Sequence, residues 1–200
     1  MKMYDLMMAS ASPRRRELIK NITDMMHCEC LCMAVNVDET MDKNLSPEDA
    51  VVSIAVRKAQ TALTLPESSG RLIIAADTIV VLDSEIFGKP KDAEDAKRML
   101  GLLSGKEHDV LTGVCMITPN GKSLSFCERT GVRFCDMTQE EIDAYVATGE
   151  PLDKAGAYGI QNGGGSLLIS GISGDYYNVM GLPVCRLYHE VQRLLRLEAR

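Results

Sequence analysis

The sequence predicts an α/β fold, with helices flanking a mixed central sheet. Three observations carry that prediction: capped helical segments recur along the chain, β-branched apolar runs lie between them, and two long strands flank the turn Pro119-Asn120-Gly121. The apolar run over residues 6–9 reads as a strand that enters the small-residue turn Ser10-Ala11-Ser12 and then a helix opened by Pro13. Next comes Cys28-Glu29-Cys30-Leu31-Cys32, a strand with three thiols on one side, as a strand buries small apolar groups. Ser46-Pro47-Glu48-Asp49 supplies an N-cap, a proline at the first helical position and acids in the first turn of a helix reaching Leu63.

Residues 72–82 are rich in Ile and Val and read as a strand interrupted by Ala75-Ala76-Asp77-Thr78. Residues 92–103 are periodic, and Gly105 is placed to close that helix. Strands over 110–118 and 123–135 form a hairpin, because Asn-Gly accepts the positive φ angles of a tight turn. Thr138-Gln139-Glu140-Glu141 has capping-box spacing and opens a helix toward Ala147. Residues 149–161 and 174–183 are too rich in glycine and small residues for regular elements, and Asn162-Gly163-Gly164-Gly165 reads as a flexible loop. Apolar residues at Val184, Leu187, Tyr188, Val191, Leu194 and Leu195 mark a final amphipathic helix.

Composition excludes several function classes. The chain has 200 residues, a net charge of −6 and 46% hydrophobic residues. An acidic chain with a pI near 5.1 is a poor general nucleic-acid binder, which needs a basic footprint. No apolar run reaches the length of a membrane span, and Met1-Lys2-Met3-Tyr4-Asp5 lacks the pattern of a signal peptide. Seven cysteines without an export signal imply a reducing, cytoplasmic setting. Cys-x-Cys-x-Cys also lacks the paired Cys-x-x-Cys knuckles of structural zinc, which favours buried strand thiols over a metal site.

The residues that carry chemistry are concentrated in a few places. Arg14-Arg15-Arg16 lies in the first turn of a helix, where the dipole mildly disfavours cations, so the run points to a bound anion. Backbone N–H groups, the hydroxyls of Ser10 and Ser12, and guanidiniums on one turn suit a chain of phosphates; a solvated basic face is the bland alternative. Asp77 lies amid an apolar strand, and burying it requires a partner, hydrogen bonds or a metal. Glu39 and Asp77 offer carboxylates to a hard divalent cation, while Lys58, Lys89 and Arg14 suit a triphosphate. The primary amide of Gln161 pairs a donor with an acceptor, matching the edge of a pyrimidine.

Taken in order, Ala9-Ser10-Ala11-Ser12-Pro13-Arg14-Arg15, Asp38-Glu39-Thr40, Lys58-Ala59, Ala76-Asp77-Thr78, Gly88-Lys89-Pro90, Leu103-Ser104-Gly105 with His108, Thr112-Gly113-Val114, 153–161 and 174–183 resemble the Maf family of nucleoside triphosphate pyrophosphatases. The resemblance implies a single domain over 1–200, two-lobed and similar to inosine triphosphate pyrophosphatases, with the active site in a cleft. It implies hydrolysis of a nucleoside triphosphate to the monophosphate and pyrophosphate, dependent on Mg2+ or Mn2+ held by Glu39 and Asp77. Asp77 corresponds to the proton acceptor, with Ser10, Arg14, Lys58, Thr78, Lys89 and Gln161 binding substrate. Arg, Thr and Gln at positions 14, 78 and 161 match the subfamily acting on dTTP and UTP; Trp, Gln and Glu there would resemble the one acting on 7-methyl-GTP. A homodimer is a family-level expectation. The rival reading is a nucleotide-binding regulator linked to cell division that binds without turnover.

Overall fold

The fold is a computed structural model that describes residues 4–161 and 163–198. Met1, Lys2, Met3, Asn162, Ala199 and Arg200 lie outside the described residues, so the readings made on Met1-Lys2-Met3 and Asn162 do too. In chain order the elements are β1 (Leu6–Ala9), α1 (Pro13–Met26), β2 (Cys30–Met33), α2 (Pro47–Leu63), β3 (Leu72–Leu82), β4 (Glu85–Phe87), α3 (Ala93–Leu103), β5 (Glu107–Ile117), β6 (Ser123–Phe134), α4 (Gln139–Ala147), β7 (Ile169–Ser173), α5 (Tyr176–Val179) and α6 (Val184–Glu198). Short 3₁₀ turns occupy Pro66–Ser68, Glu150–Asp153, Ala155–Ala157 and Gly163–Leu168. The sheet order is β2-β1-β3-β5-β6-β7, with β4 paired to β3. β1 runs parallel to β2 and β3, whereas β3–β4 and β6–β7 are antiparallel, so the mixed sheet is as expected.

Local chemistry sets the helix starts. The Ser12, Ser46 and Asp92 side chains each accept the backbone N–H three residues on, and Thr138 with Glu141 completes a reciprocal capping box. Ser104 caps the end of α3, and Gly105 follows it with φ 67°, a conformation glycine adopts without steric penalty.

The chain divides into two compact units. The first comprises Met1–Asp77, Thr112–Glu128 and Gly181–Arg200; the second comprises Thr78–Leu111 and Arg129–Met180. In the first, Ala55, Ala59 and Ala62 of α2 pack on Met7, Ala9, Ile73, Ala75, Cys115 and Ile117. Small helix residues let α2 approach the strands closely. Gly113 marks the limit, since a methyl group there would lie 2.5 Å from the Val51 carbonyl oxygen. In the second unit, the core joins Val80, Leu82 and Phe87 to Met99, Leu100, Leu103, Phe134, Ile142, Tyr145 and Tyr158. His108 is buried there, its Nε2 2.8 Å from the Tyr158 hydroxyl and its ring edge-on to Phe134 and Tyr158. No helix among the described residues is long and apolar enough to cross a membrane.

Four expectations need correction. Ala75-Ala76-Asp77-Thr78 does not interrupt its strand, because Lys58 pairs with Asp77 and lets β3 continue unbroken. The Cys-rich segment is a strand only from Cys30, and Cys28, Cys30 and Cys32 are half-buried. β2 is the edge of the sheet, so one of its flanks lacks a covering strand. Burial still pushes the Cys30 thiol up to about 12, helped by Cys32, whose sulfur lies 4.0 Å away. Gly163-Gly164-Gly165 opens a 3₁₀ turn where a loop was expected. Residues 174–183 were expected to lack regular elements, yet Tyr176–Val179 form α5, capped by the Asp175 side chain, which accepts the Tyr177 N–H.

Candidate active site

Five of the eight predicted positions fall in the first unit. The turn after β1 buries Ser10, whose Oγ accepts the Ser12 N–H at 3.2 Å. Arg14 follows on the first turn of α1 and is half-buried. Lys58 projects from the middle of α2, on the face that packs against the sheet, and is 8% exposed. Its Nζ lies 2.6 Å from Asp77 Oδ1 and 2.7 Å from Glu39 Oε1. The helix, the strand and the segment after β2 therefore deliver one ammonium and two carboxylates to a single point.

That arrangement answers the problem posed by the sequence. A carboxylate inside an apolar strand is tolerated because a charged partner meets it with a short hydrogen bond. Glu39 is the more open of the two acids, its side chain 58% exposed against 15% for Asp77.

The structure separates Arg15 from the arginines on either side of it. Arg16 is exposed, whereas Arg15 is buried and donates from Nε to the Gly181 carbonyl at 2.7 Å. Burial lowers its pKa, and the nearby charges of Asp77 and Glu39 oppose that effect. The guanidinium thus adds fixed positive charge around the two acids and ties α1 to the segment entering α6. The only sequence signal was a cation in an unfavourable helix position, and its partner lies 166 residues away.

The other three positions belong to the second unit. Thr78 follows Asp77 on β3 and is half-buried. Lys89 is exposed in the turn between β4 and α3. Gln161 follows the turn at Ala155–Ala157 and is half-buried. Gly156 links these segments: its N–H donates to the Gly88 carbonyl at 3.0 Å, tethering the turn before Lys89 to the stretch that leads to Gln161. Gly156 has φ 67° and stands so close to β3 that a methyl group would lie 2.8 Å from Val80 Cγ2.

The donor chemistry fits a hard divalent cation. Among the described residues no group of three or more His, Cys, Asp or Glu side chains is arranged to hold a metal. Two carboxylates, here both paired to the Lys58 ammonium, are oxygen donors of the kind that a hard divalent cation takes.

The comparisons agree with the motif set. The Maf-like protein family matches residues 5–194. The chain is 49% identical to the dTTP/UTP pyrophosphatase of Geobacillus sp. (strain WCH70), over 96% of this chain and 99% of that one. It is 47% identical to the dTTP/UTP pyrophosphatase of Bacillus cytotoxicus, over 96% of each. Among solved structures, the nucleoside-triphosphatase / dITP/XTP pyrophosphatase of Mycobacterium abscessus aligns with a TM-score of 0.46 at 12% identity, over 98% of this chain and 96% of that one. With its motifs in order and a match spanning nearly its whole length, the chain belongs to the Maf family.

Proposed function

We propose that this protein hydrolyses dTTP and UTP to the corresponding monophosphate and pyrophosphate. The observation that carries the proposal is the 49% identity, across nearly the full length of both chains, to a dTTP/UTP pyrophosphatase. The convergence of Glu39, Lys58 and Asp77 supplies the chemistry that such a reaction needs.

In this reading Asp77 orients a water molecule and accepts its proton as the water oxygen attacks the α-phosphorus. The bond from the α-phosphorus to the bridging oxygen breaks, and pyrophosphate leaves with the electron pair. Lys58, Lys89 and Arg14 offset the charge that builds on the leaving group. The Ser10 Oγ already accepts an N–H, so its own proton is directed to a phosphate oxygen. Glu39 and Asp77 would hold a divalent cation, Mg2+ or Mn2+, whose chemistry there is withdrawal of charge from the phosphate oxygens. Thr78 and Gln161 act on selectivity, with the Gln161 amide reading the donor and acceptor edge of the pyrimidine. One domain over 1–200 carries all of these roles.

Pyrophosphate release measured with UTP, dTTP, CTP and GTP, with and without added Mg2+ or Mn2+, tests the proposal. We expect metal-dependent release with UTP and dTTP preferred. Binding of these nucleotides without pyrophosphate release would support the regulator and overturn the enzyme. Gln161→Glu should weaken UTP and dTTP more than the other triphosphates, and an unchanged profile would refute the base-reading role.

A further inference from the structure

Gln161 is held from both sides by one aromatic residue. Two positions before it, the Gly159 N–H donates to the Tyr145 hydroxyl at 3.2 Å. Two positions after it begins the 3₁₀ turn Gly163–Leu168, whose first residues lie against the same side chain. A methyl group on Gly164 would stand 2.7 Å from Tyr145 Cδ2, and one on Gly165 would stand 2.6 Å from the Tyr145 hydroxyl oxygen and clash with the Gly159 carbonyl. One on Gly163 would clash with the Glu150 carboxylate. The glycines are therefore required by close approach to Tyr145 and Glu150, and the stretch that carries Gln161 spans a short gap between two fixed points.

Tyr145 is itself immobilised. It lies on α4, is 4% exposed, and belongs to the core of the second unit with Ile142, Val146 and Tyr158. Burial pushes the Tyr145 hydroxyl up to about 12, so the side chain is neutral at physiological pH. Lys154 supports the same segment, its stem so close to Gly159 that a methyl group would lie 2.7 Å from Cε.

We propose that Tyr145 is a positioning residue that presets Gln161 for triphosphates carrying uracil or thymine. The inference rests on the base-reading role of Gln161. Holding a recognition side chain in its bound conformation improves affinity by reducing the ordering required on binding. Such a contribution is made equally in ground and transition states, so its loss raises KM and spares kcat.

The test is steady-state kinetics of Y145F, Q161A and the double variant with UTP, dTTP and GTP. Y145F keeps the ring and removes the hydroxyl bridge. We expect KM for UTP and dTTP to rise by about three- to tenfold, as for one lost hydrogen bond, with kcat within about twofold and the preference over GTP falling by the same factor. In the Q161A background Y145F should cause no further loss of preference. Gly164→Ala, which leaves Tyr145 intact and forces a methyl group against its ring, should shift selectivity in the same direction. An equal fall in kcat/KM for all three triphosphates, or losses that add in the double variant, would make Tyr145 merely structural and overturn the inference. An unchanged preference in Q161A would remove the base-reading role and the inference with it. An altered Q161A beside an unaltered Y145F and Gly164→Ala would remove the inference alone.

Discussion

The two compact units solve different problems of burial. In the first, charges are brought inside: Lys58 and Arg15 are buried, and each is matched by an oxygen at 2.6–2.7 Å, from Asp77 or the Gly181 carbonyl. In the second, the backbone is brought close: Gly156, Gly159, Gly164 and Gly165 lie where a methyl group would collide with Val80, Lys154 or Tyr145. The first device fixes charges, which phosphoryl chemistry needs. The second fixes the path of the chain around Gln161, which selectivity among bases needs. Turnover and preference should therefore respond to different substitutions.

The largest effect is expected at Asp77. Asp77→Asn keeps the shape and removes the proposed proton acceptor, so kcat with UTP should fall by about 10³-fold or more while nucleotide binding persists in a titration. A loss of preference with normal turnover would place its role on the wrong side of the comparison.

Next in size is Gly113→Ala. Its methyl group would meet the backbone of Val51 and Val52 at 2.5–2.7 Å, and backbone cannot move aside as a flexible side chain can. We expect a loss of about 2–3 kcal/mol in denaturant unfolding. Gly171→Ala enters open space and serves as the matched control in the second unit, expected to stay within about 0.5 kcal/mol of the parent. Equal effects at both positions would show that close approach of α2 to β5 is not a requirement of the first unit.

The smallest of these effects concerns His108 and appears only with changing pH. Burial lowers its pKa from 6.5 to about 4, and among the described residues Nδ1 has no hydrogen-bond partner. The unfolded chain therefore takes up a proton first as pH falls. The stability that the neutral imidazole allows is complete above about 6.5, is lost between 6.5 and 4, and changes no further below 4. From pH 7 to pH 5 the parent protein should lose about 2 kcal/mol relative to His108→Phe in denaturant unfolding. Parallel curves for the two proteins would show that the His108–Tyr158 contact does not govern acid stability.

The sequence was most readable where the determinant is local. Ser46-Pro47 and Thr138 to Glu141 carry their own caps, so α2 and α4 began where expected. Strand β3 was also legible, although Asp77 looked like a break until Lys58 was seen to pair with it. The site residues were legible as types, because a carboxylate in an apolar run and a cation at a helix start each violate a preference. Their partners were not, since Arg15 finds its acceptor 166 residues away. Tyr145 gave no signal at all: an aromatic residue on a helix reads as core, and its hydroxyl matters through the Gly159 N–H.

Hydrolysis of UTP in 18O-labelled water tests most directly whether the water, assisted by Asp77, attacks the α-phosphorus. Attack at the α-phosphorus would place one 18O atom per turnover in the uridine monophosphate and none in the pyrophosphate. Label in the pyrophosphate, or release of orthophosphate in its place, would contradict it.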